Sequence, residues 1–403
     1  MVHGEYNRNF KKVIYPSIET HELRNFQTNR QHAQVASITG EPVYGVKGPS
    51  TLSELLRIPD DIPFDPMHLL YIGINKSLLN AIIKHKLVNC NTMSLIIEKI
   101  KVPHYFRRNP RNFLTEYALW KAQEHRHFLI YFAPIVFLAV TRLSPTPFSN
   151  QLFQLYHLLS TAIYLLYDAD IRESDILSSE VCIREFQLRI VDILGESVKT
   201  ITLHALQHLP AQVRKFGPLH TVSAMPFENL NRQLKTSVTG TRGSALTVVY
   251  RYLNFQSFLD RTFSQPTPAV LGKSIPYRRF KVGCLVFHTY KYDKGKNSKN
   301  ASCFAFLSAD ELFVKIKGIN YDSHKFSVVC RTYNRSSLMD FNSAGTLLSA
   351  DAATVLKRKS PFHLLKKGNV KEFCPSKFSH HAVITDLDGC VFGVKIMNTF
   401  EHD

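Results

Sequence analysis

The amino-acid sequence predicts an α+β protein in which an all-α helical domain precedes an antiparallel β domain. Apolar residues recur every three or four positions over residues 65–263, which is the period of amphipathic helices. Over residues 274–403, short runs of β-branched and aromatic residues alternate with polar turns, as in antiparallel sheets. A chain of 403 residues is long enough for two or three domains of ordinary size.

Residues 1–64 are predicted to form a connector of short elements. Glycine and proline interrupt the segment TGEPVYGVKGPS, and either Ser50 or Thr51 then suits the N-cap of a short helix. We expect this connector to lie against the larger domain that follows it.

The helical domain begins with the segment MHLLYIGINKSLLNAIIKHKL. One stripe at intervals of four residues carries Leu70, Ile74, Leu78 and Ile82, which predicts an amphipathic helix with a buried face. The same periodicity returns in at least three later segments. We therefore expect four or more helices joined by short polar loops.

The most apolar run of the chain, Phe128–Val140, contains Pro134. It is shorter than the roughly 20 residues needed to cross a bilayer, so it predicts a buried core helix and no membrane span. The first residues of the chain contain no apolar signal core, so we expect a protein that is not secreted.

The β domain is predicted to follow a linker, PTPAVLGKSIP, that is rich in proline and glycine. We expect its strands in the segments RRFKVGCLVFHTY, CFAFLS, LFVKIKGINY, KFSVVCRTY and CVFGVKIM. The range Lys273–Asp403 holds 21 Lys and Arg against 11 Asp and Glu. Because of this excess of positive charge, the β domain is a candidate surface for nucleic acid.

The whole chain is basic, with 50 Lys and Arg against 32 Asp and Glu and a formal net charge of +18. A positive field of that size attracts polyanions, so DNA is the expected partner. The alternative is that the charge serves solubility alone. The seven cysteines are widely spaced without a C-x-x-C pair, which favours reduced thiols over a zinc knuckle.

The segment MPFENLNRQLKTSVTGTR predicts a basic helix with Glu228 in its first turn, because the preceding Pro226 suits the first helical position. Arg232 and Lys235 follow one and two turns later on the same face and are candidates for DNA-backbone contacts, as is Arg242 in the next loop. Glu228 is a candidate ligand for a divalent ion at a scissile phosphate. The alternative is that it only compensates the helix dipole.

The dipeptide Asp65-Pro66 is a typical helix start, with an N-cap followed by proline at the first helical position. His68 lies three residues after Asp65, in the first turn, where capping does not explain it. Two readings stay open for Asp65 and His68. Either the two residues have a structural role only, or they lie beside a functional site and orient a carboxylate there.

A compact cluster of arginines, Arg107, Arg108 and Arg111, suits phosphate contacts or a solvated loop. The segment WKAQE follows it. We expect Trp120 to anchor the core and Lys121 and Glu124 to form a surface pair.

The histidines His204 and His208 have the i, i+4 spacing of a metal-binding pair, and His220 follows them. No acidic residue lies between the first two and no further ligand is placed nearby by sequence. We interpret them as a packed or hydrogen-bonded pair and predict no metal there.

The segment HALQHLPAQVRKFGPLHTVSAMPFENLNRQLK, which contains Glu228, resembles the C-terminal part of CACTA-type (En/Spm-like) DNA transposases. The segments TGEPVYGVKGPS, DPMH and WKAQE resemble the same proteins, so the resemblance covers roughly residues 1–265. It implies that the helical domain is similar to the helical insertion of such transposases. The resemblance implies an RNase H-like ancestry in which Glu228 is a vestigial third catalytic acid.

In that family the first two catalytic aspartates precede the connector, so we expect them to be absent from this chain. A single family acid binds Mg²⁺ poorly, because hard ions need several converging oxygens. We therefore expect no transposase activity and no cofactor, with Mg²⁺ relevant only if an intact acidic triad were restored. The expectation is a transposon-derived, DNA-binding remnant in the nucleus or cytoplasm. The alternatives are a scaffold protein without a nucleic-acid role and an active nuclease.

Overall fold

The computed structural model confirms the α+β class, because helices form the N-terminal part and antiparallel strands the C-terminal part. It describes residues 4–15, 24–106, 108–238, 244–262, 269–271, 277–295, 300–322, 325–341, 348–387 and 389–397.

The helices, in chain order, are α1 (Phe26–Thr39), α2 (Lys76–Lys84), α3 (Cys90–Lys99), α4 (Phe113–Glu116), α5 (Ala122–His127), α6 (Ala133–Leu143), α7 (Ser149–Tyr167), α8 (Glu173–Leu194), α9 (Ile201–Ala205), α10 (Leu209–Phe216), α11 (Met225–Ser237), α12 (Ser244–Thr262), α13 (Tyr290–Gly295) and α14 (Ala350–Lys359). The strands are β1 (Glu5–Asn7), β2 (Lys12–Ile14), β3 (Ala269–Leu271), β4 (Arg279–Val282), β5 (Leu285–His288), β6 (Phe304–Leu307), β7 (Leu312–Asp322), β8 (Lys325–Ser337), β9 (Phe362–Phe373), β10 (His380–Leu387) and β11 (Cys390–Lys395).

The connector contains more regular structure than its glycines and prolines predict. The strands β1 and β2 form a hairpin, and α1 is a 14-residue helix with Asn25 and Gly40 at its ends. Ser50 caps a short 3₁₀ helix, as predicted, through its hydroxyl, which accepts the N–H of Leu52 at 3.3 Å. The connector contacts the helical part where the N–H of Tyr15 donates to the carbonyl of Lys199 at 2.7 Å.

The apolar stripe predicted at the start of the helical part is confirmed, since all four of its residues are buried. Its first half, Met67–Asn75, is a π-helix that continues into α2. Gly73 suits the wide π turn, because a β-carbon there would lie 2.5 Å from the carbonyl oxygen of His68. Such π segments are uncommon and occur frequently at functional sites.

The apolar run Phe128–Val140 lies inside a longer helix, Ala122–Leu143. A π turn, Phe128–Phe132, precedes Pro134, whose missing N–H interrupts the regular hydrogen bonding. This 22-residue helix has the length and composition of a membrane span, although the apolar run inside it is shorter. The core interpretation is supported, because 83% of its apolar window is buried inside the fold.

The β part is a closed six-stranded antiparallel barrel in the order β10-β11-β9-β8-β7-β6. Each of its strands contributes to an interior cluster of apolar side chains. The packing of this interior requires glycine at position 393, because a β-carbon on Gly393 would lie 2.6 Å from a methyl group of Leu365. The segment predicted as a linker contains β3, which pairs with β4 in a separate three-stranded sheet.

The helices and the barrel share one hydrophobic core. Val383 of β10 and the residues Phe392 and Val394 of β11 belong to the same buried cluster as the central helices α6 and α7. The opposite side of the barrel packs on Phe280 and Phe287 of the three-stranded sheet. The barrel is therefore covered by helices on one side and by a small sheet on the other.

Candidate functional site

The carboxylate of Asp65 joins the beginnings of two helices that are far apart in the sequence. Its Oδ1 accepts the N–H of Met67 at 3.1 Å and the N–H of Ala224 at 2.8 Å. Met67 begins the π-helix, and Ala224 immediately precedes α11. Asp65 therefore acts as an N-cap for one helix and fixes the entry of the other.

His68 lies between Asp65 and Glu228. Its Nδ1 forms a hydrogen bond with Oδ2 of Asp65, and its Nε2 lies 3.5 Å from Oε1 of Glu228. More than half of the His68 and Glu228 side chains is exposed to solvent. The structure thus brings together the three residues singled out from two distant segments. Because one carboxylate orients the imidazole, its other nitrogen is aimed at the second carboxylate.

This arrangement provides few oxygens for a hard metal ion. Backbone N–H groups and His68 occupy the Asp65 carboxylate, which leaves Glu228 as the exposed carboxylate of the group. The nearby Asp61 is also engaged, because Lys215 lies 2.9 Å from its Oδ1. That lysine and the Arg57 N–H hold the pKa of Asp61 well below its usual range. The geometry favours a hydrogen-bonded junction over a multi-carboxylate cation site.

The substitution Asp65→Ala is expected to lower the free energy of unfolding by about 1–2 kcal/mol, because the helix loses its cap and Ala224 loses its acceptor. Asp65→Asn is the matched control, since asparagine caps equally well. Urea denaturation of the two variants measures the difference. Equal losses for both would show that the charge of Asp65, and not its capping oxygen, stabilises the junction.

The cations predicted to contact DNA differ in their availability. Arg232 and Lys235 lie exposed on α11, where Arg232 donates to Oδ1 of Asn229 at 2.7 Å. Arg108 is also exposed. Arg107 and Arg242 lie outside the described residues.

Arg111 does not fit the predicted role in DNA binding. Its Nη2 donates to Oε2 of Glu124 at 2.6 Å, its Nε donates to the other oxygen, and it also bonds the carbonyl of Leu119. Glu124 is buried, so the predicted surface pair with Lys121 was wrong. The error arises because a local i, i+3 spacing does not show that a distant arginine competes for the carboxylate. Trp120 is buried in the core, as predicted.

His204 and His208 form the packed pair that the sequence analysis favours. Their Nε2 atoms lie 3.4 Å apart, and Gln207 hydrogen-bonds to His204. Burial lowers the pKa of His208, which favours its neutral form. His220 bonds the carbonyl oxygen of Tyr167 through Nδ1 at 3.0 Å.

A further set of cations, which sequence reasoning did not single out, lies where the barrel meets the helical part. We call Lys101, Lys315, Lys317 and Lys367 the lysine cluster. Burial and the charges of the other three lysines lower the pKa of Lys315. Across the ladder, Lys315 is directly paired with Arg331.

No residue of the lysine cluster forms an ion pair with a carboxylate in the part of the chain that the structure describes. The ammonium group of Lys315 lies 3.2 Å from the centre of the Tyr290 ring instead. The segment LFVKIKGINY carries a signal for this surface, since Lys315 and Lys317 are only two residues apart, and a β-bulge between Ile316 and Gly318 interrupts the regular alternation of the strand there. Lys101 and Lys367 join them only through the fold.

Comparison with known proteins does not identify a family. The chain matches no family model, and no curated protein or solved structure is significantly similar to it. The resemblance to CACTA-type transposases depends on the sequence segments alone.

Proposed function

We propose that this protein binds DNA through the phosphate backbone and descends from a CACTA-type transposase without retaining its activity. The lysine cluster is the observation that carries the proposal. Four lysines from the helical part and two barrel strands come together there without compensating carboxylates among the described residues. The net charge of +18 adds a long-range attraction for a polyanion.

The chemistry of the cluster suits phosphate contacts better than an internal structural role. Lysines crowded together repel one another, and an external polyanion relieves this repulsion while releasing counterions. Tyr290 adds an aromatic face, partly exposed, directly beneath the ammonium group of Lys315. DNA binding also implies a nuclear location, which belongs to the same proposal.

The junction of Asp65, His68 and Glu228 supports the proposal that the protein has lost transposase activity. Two-metal strand cleavage needs several carboxylate oxygens that converge on two ions. Asp65 offers its oxygens to N–H donors instead, so Glu228 is left with His68 as its neighbour. We propose that this junction orients α11, whose Arg232 and Lys235 give a second set of phosphate contacts.

A salt series with duplex DNA tests the proposal. We expect the logarithm of the binding constant to fall linearly with the logarithm of the salt concentration. In the double variant Lys317→Gln/Lys367→Gln the slope should decrease in magnitude by about 2 and the affinity by roughly 10-fold, because two phosphate contacts are lost.

The matched control is Lys357→Gln/Lys377→Gln, which removes the same charge from two lysines of the β part that are paired with Asp340 and Asp310. It should leave the slope nearly unchanged. A DNA affinity that does not change with salt concentration would refute phosphate binding by the lysine cluster. Equal effects of the two double variants on affinity and slope would refute it as well.

A scaffold function is the second candidate, and one observation favours it. The helices α11 and α12, which contact each other, expose several large apolar side chains, with Phe227 68%, Leu246 67% and Tyr250 69% accessible to solvent. Exposed apolar patches of this kind commonly mark protein contacts. Loss of a co-purifying protein in a Phe227→Ser/Tyr250→Ser variant that still binds DNA would assign this surface to a protein partner.

A further inference from the structure

Three potential metal ligands meet where a loop of the helical part touches the β part. His104 lies in the loop after α3, His288 ends β5, and Asp293 lies in α13. Backbone hydrogen bonds link the loop and β5 through the residues before β6, since the N–H of Ala301 donates to the carbonyl of Val102 at 2.8 Å and the N–H of His288 donates to the carbonyl of Ser302 at 3.1 Å.

The three side chains are close enough to share one ion. One ligand atom from each of His104, His288 and Asp293 lies within 4.8 Å of the other two. The rings of His104 and His288 have their centres 4.5 Å apart. Nδ1 of His288 lies 2.8 Å from Oδ1 of Asp293.

The carboxylate of Asp293 is not satisfied by these contacts. Asp293 is only 6% exposed, and its buried Oδ2 has no hydrogen-bond partner among the described residues. A buried carboxylate oxygen without a donor is costly, and a bound cation would compensate it. The His288–Asp293 pair accounts for Oδ1, and the buried Cys303 thiol beside the carboxylate is only a weak donor, which leaves Oδ2 without a strong partner among the described residues.

His104 is held in place by a neighbour, as a metal-binding histidine usually is. Its Nδ1 lies 2.9 Å from Oγ of Ser302, and its backbone N–H donates to the same oxygen at 3.1 Å. Supporting hydrogen bonds of this kind fix the orientation of a ligand ring. Ser302 also accepts the N–H of His288 through its carbonyl at 3.1 Å, so one residue supports both histidines.

We propose that His104, His288 and Asp293 bind a zinc ion. Two imidazoles and one carboxylate form the nitrogen and oxygen donor set that Zn²⁺ accepts in tetrahedral sites, whereas Mg²⁺ and Ca²⁺ prefer oxygen ligands alone. The ion would join the helical part to the sheet beside the barrel. This inference goes beyond DNA binding and does not depend on it.

Zinc titration of the chelator-treated full chain tests the site. The wild type should bind one Zn²⁺ per chain and unfold at a higher temperature with the ion than without it. His104→Ala and Asp293→Asn should each lower the zinc affinity by roughly 10–100-fold or more. Loss of a residue that only supports a ligand has an effect of that size, and each of these variants removes a ligand itself. Co²⁺ in place of zinc should give the visible absorption of a tetrahedral site in the wild type but not in His104→Ala or Asp293→Asn.

His85→Ala is the matched control, since His85 is also exposed on the helical part and is not among the proposed ligands. It should bind zinc as the wild type does. His104 is exposed, so its replacement tests the site even if Asp293→Asn does not fold. Absence of zinc binding by the wild type, or equal affinities of the wild type and folded His104→Ala, would overturn the proposal.

Discussion

Acidification below about pH 6.5 is expected to destabilise the fold by several kcal/mol for each pH unit, because five buried or half-buried histidines resist protonation. Burial lowers the pKa values of His157 and His381 to about 3, and it lowers those of His125, His363 and His380 to about 4. Nearby positive charges lower the pKa further, from Lys76 for His125 and from Arg335 for His363. In the unfolded chain all five have an ordinary pKa near 6.5.

The direction of the effect follows from proton binding. Between about pH 6.5 and 4 the unfolded chain binds protons at these five sites that the folded chain does not bind. The stability is therefore present in full above the unfolded pKa and is lost as the pH falls toward the folded values. Each histidine contributes up to about 1.4 kcal/mol per pH unit, and a typical fold has only about 5–15 kcal/mol in total.

Urea midpoints at about pH 7.5, 6.5 and 5.5 measure this loss. His157→Gln should reduce the slope below pH 6.5 by about one fifth, because it removes one of the five proton-binding sites. The exposed His85→Gln is the control and should keep the wild-type slope. A urea midpoint that stays constant down to about pH 5.5 would contradict the prediction.

Removal of the Glu124 carboxylate is expected to lower the free energy of unfolding by about 3–5 kcal/mol, because it leaves a partly buried guanidinium without its partner. The Glu124 side chain is only 5% exposed and receives two donors from Arg111. It also accepts the N–H of Lys121 at 2.8 Å and so caps the helix Ala122–Leu143.

Urea denaturation of Glu124→Ala measures the loss, and Glu54→Ala, an exposed acid at the end of a short 3₁₀ helix, is the control. The double variant Glu124→Ala/Arg111→Ala should be less destabilised than the sum of the single variants, because the two residues act as a pair. Additive losses would show that the ion pair itself contributes little.

Local patterns predicted the local parts of this fold. The apolar spacing identified the buried stripe from Leu70 to Ile82, and β-branched runs identified the strands β4 to β8 and β11. The capping residue Asp65 was also recognised from its neighbours alone. The strands β9 and β10 were missed, and β9 has a largely exposed, lysine-rich second half that lacks an apolar pattern.

Local sequence patterns could not predict the contacts between segments that are far apart in the chain. The spacing of Lys121 and Glu124 suits a surface pair, and only the fold places Arg111 beside Glu124. His104 and Ser302 are 198 residues apart, so no spacing rule connects them or the ligands around them. The proximity of His68 and Glu228 was not predicted, because the two segments meet only in the fold, where Ala224 reaches Asp65 across 159 residues.

The shared core has a consequence for how such a protein can evolve. The outer face of β11 is as apolar as the helices that cover it, with Phe392 and Val394 almost completely buried. A barrel transferred to another gene without its helices would present this face to water. The two halves differ in secondary structure, yet they are not interchangeable modules, and recombination can retain them only as a unit.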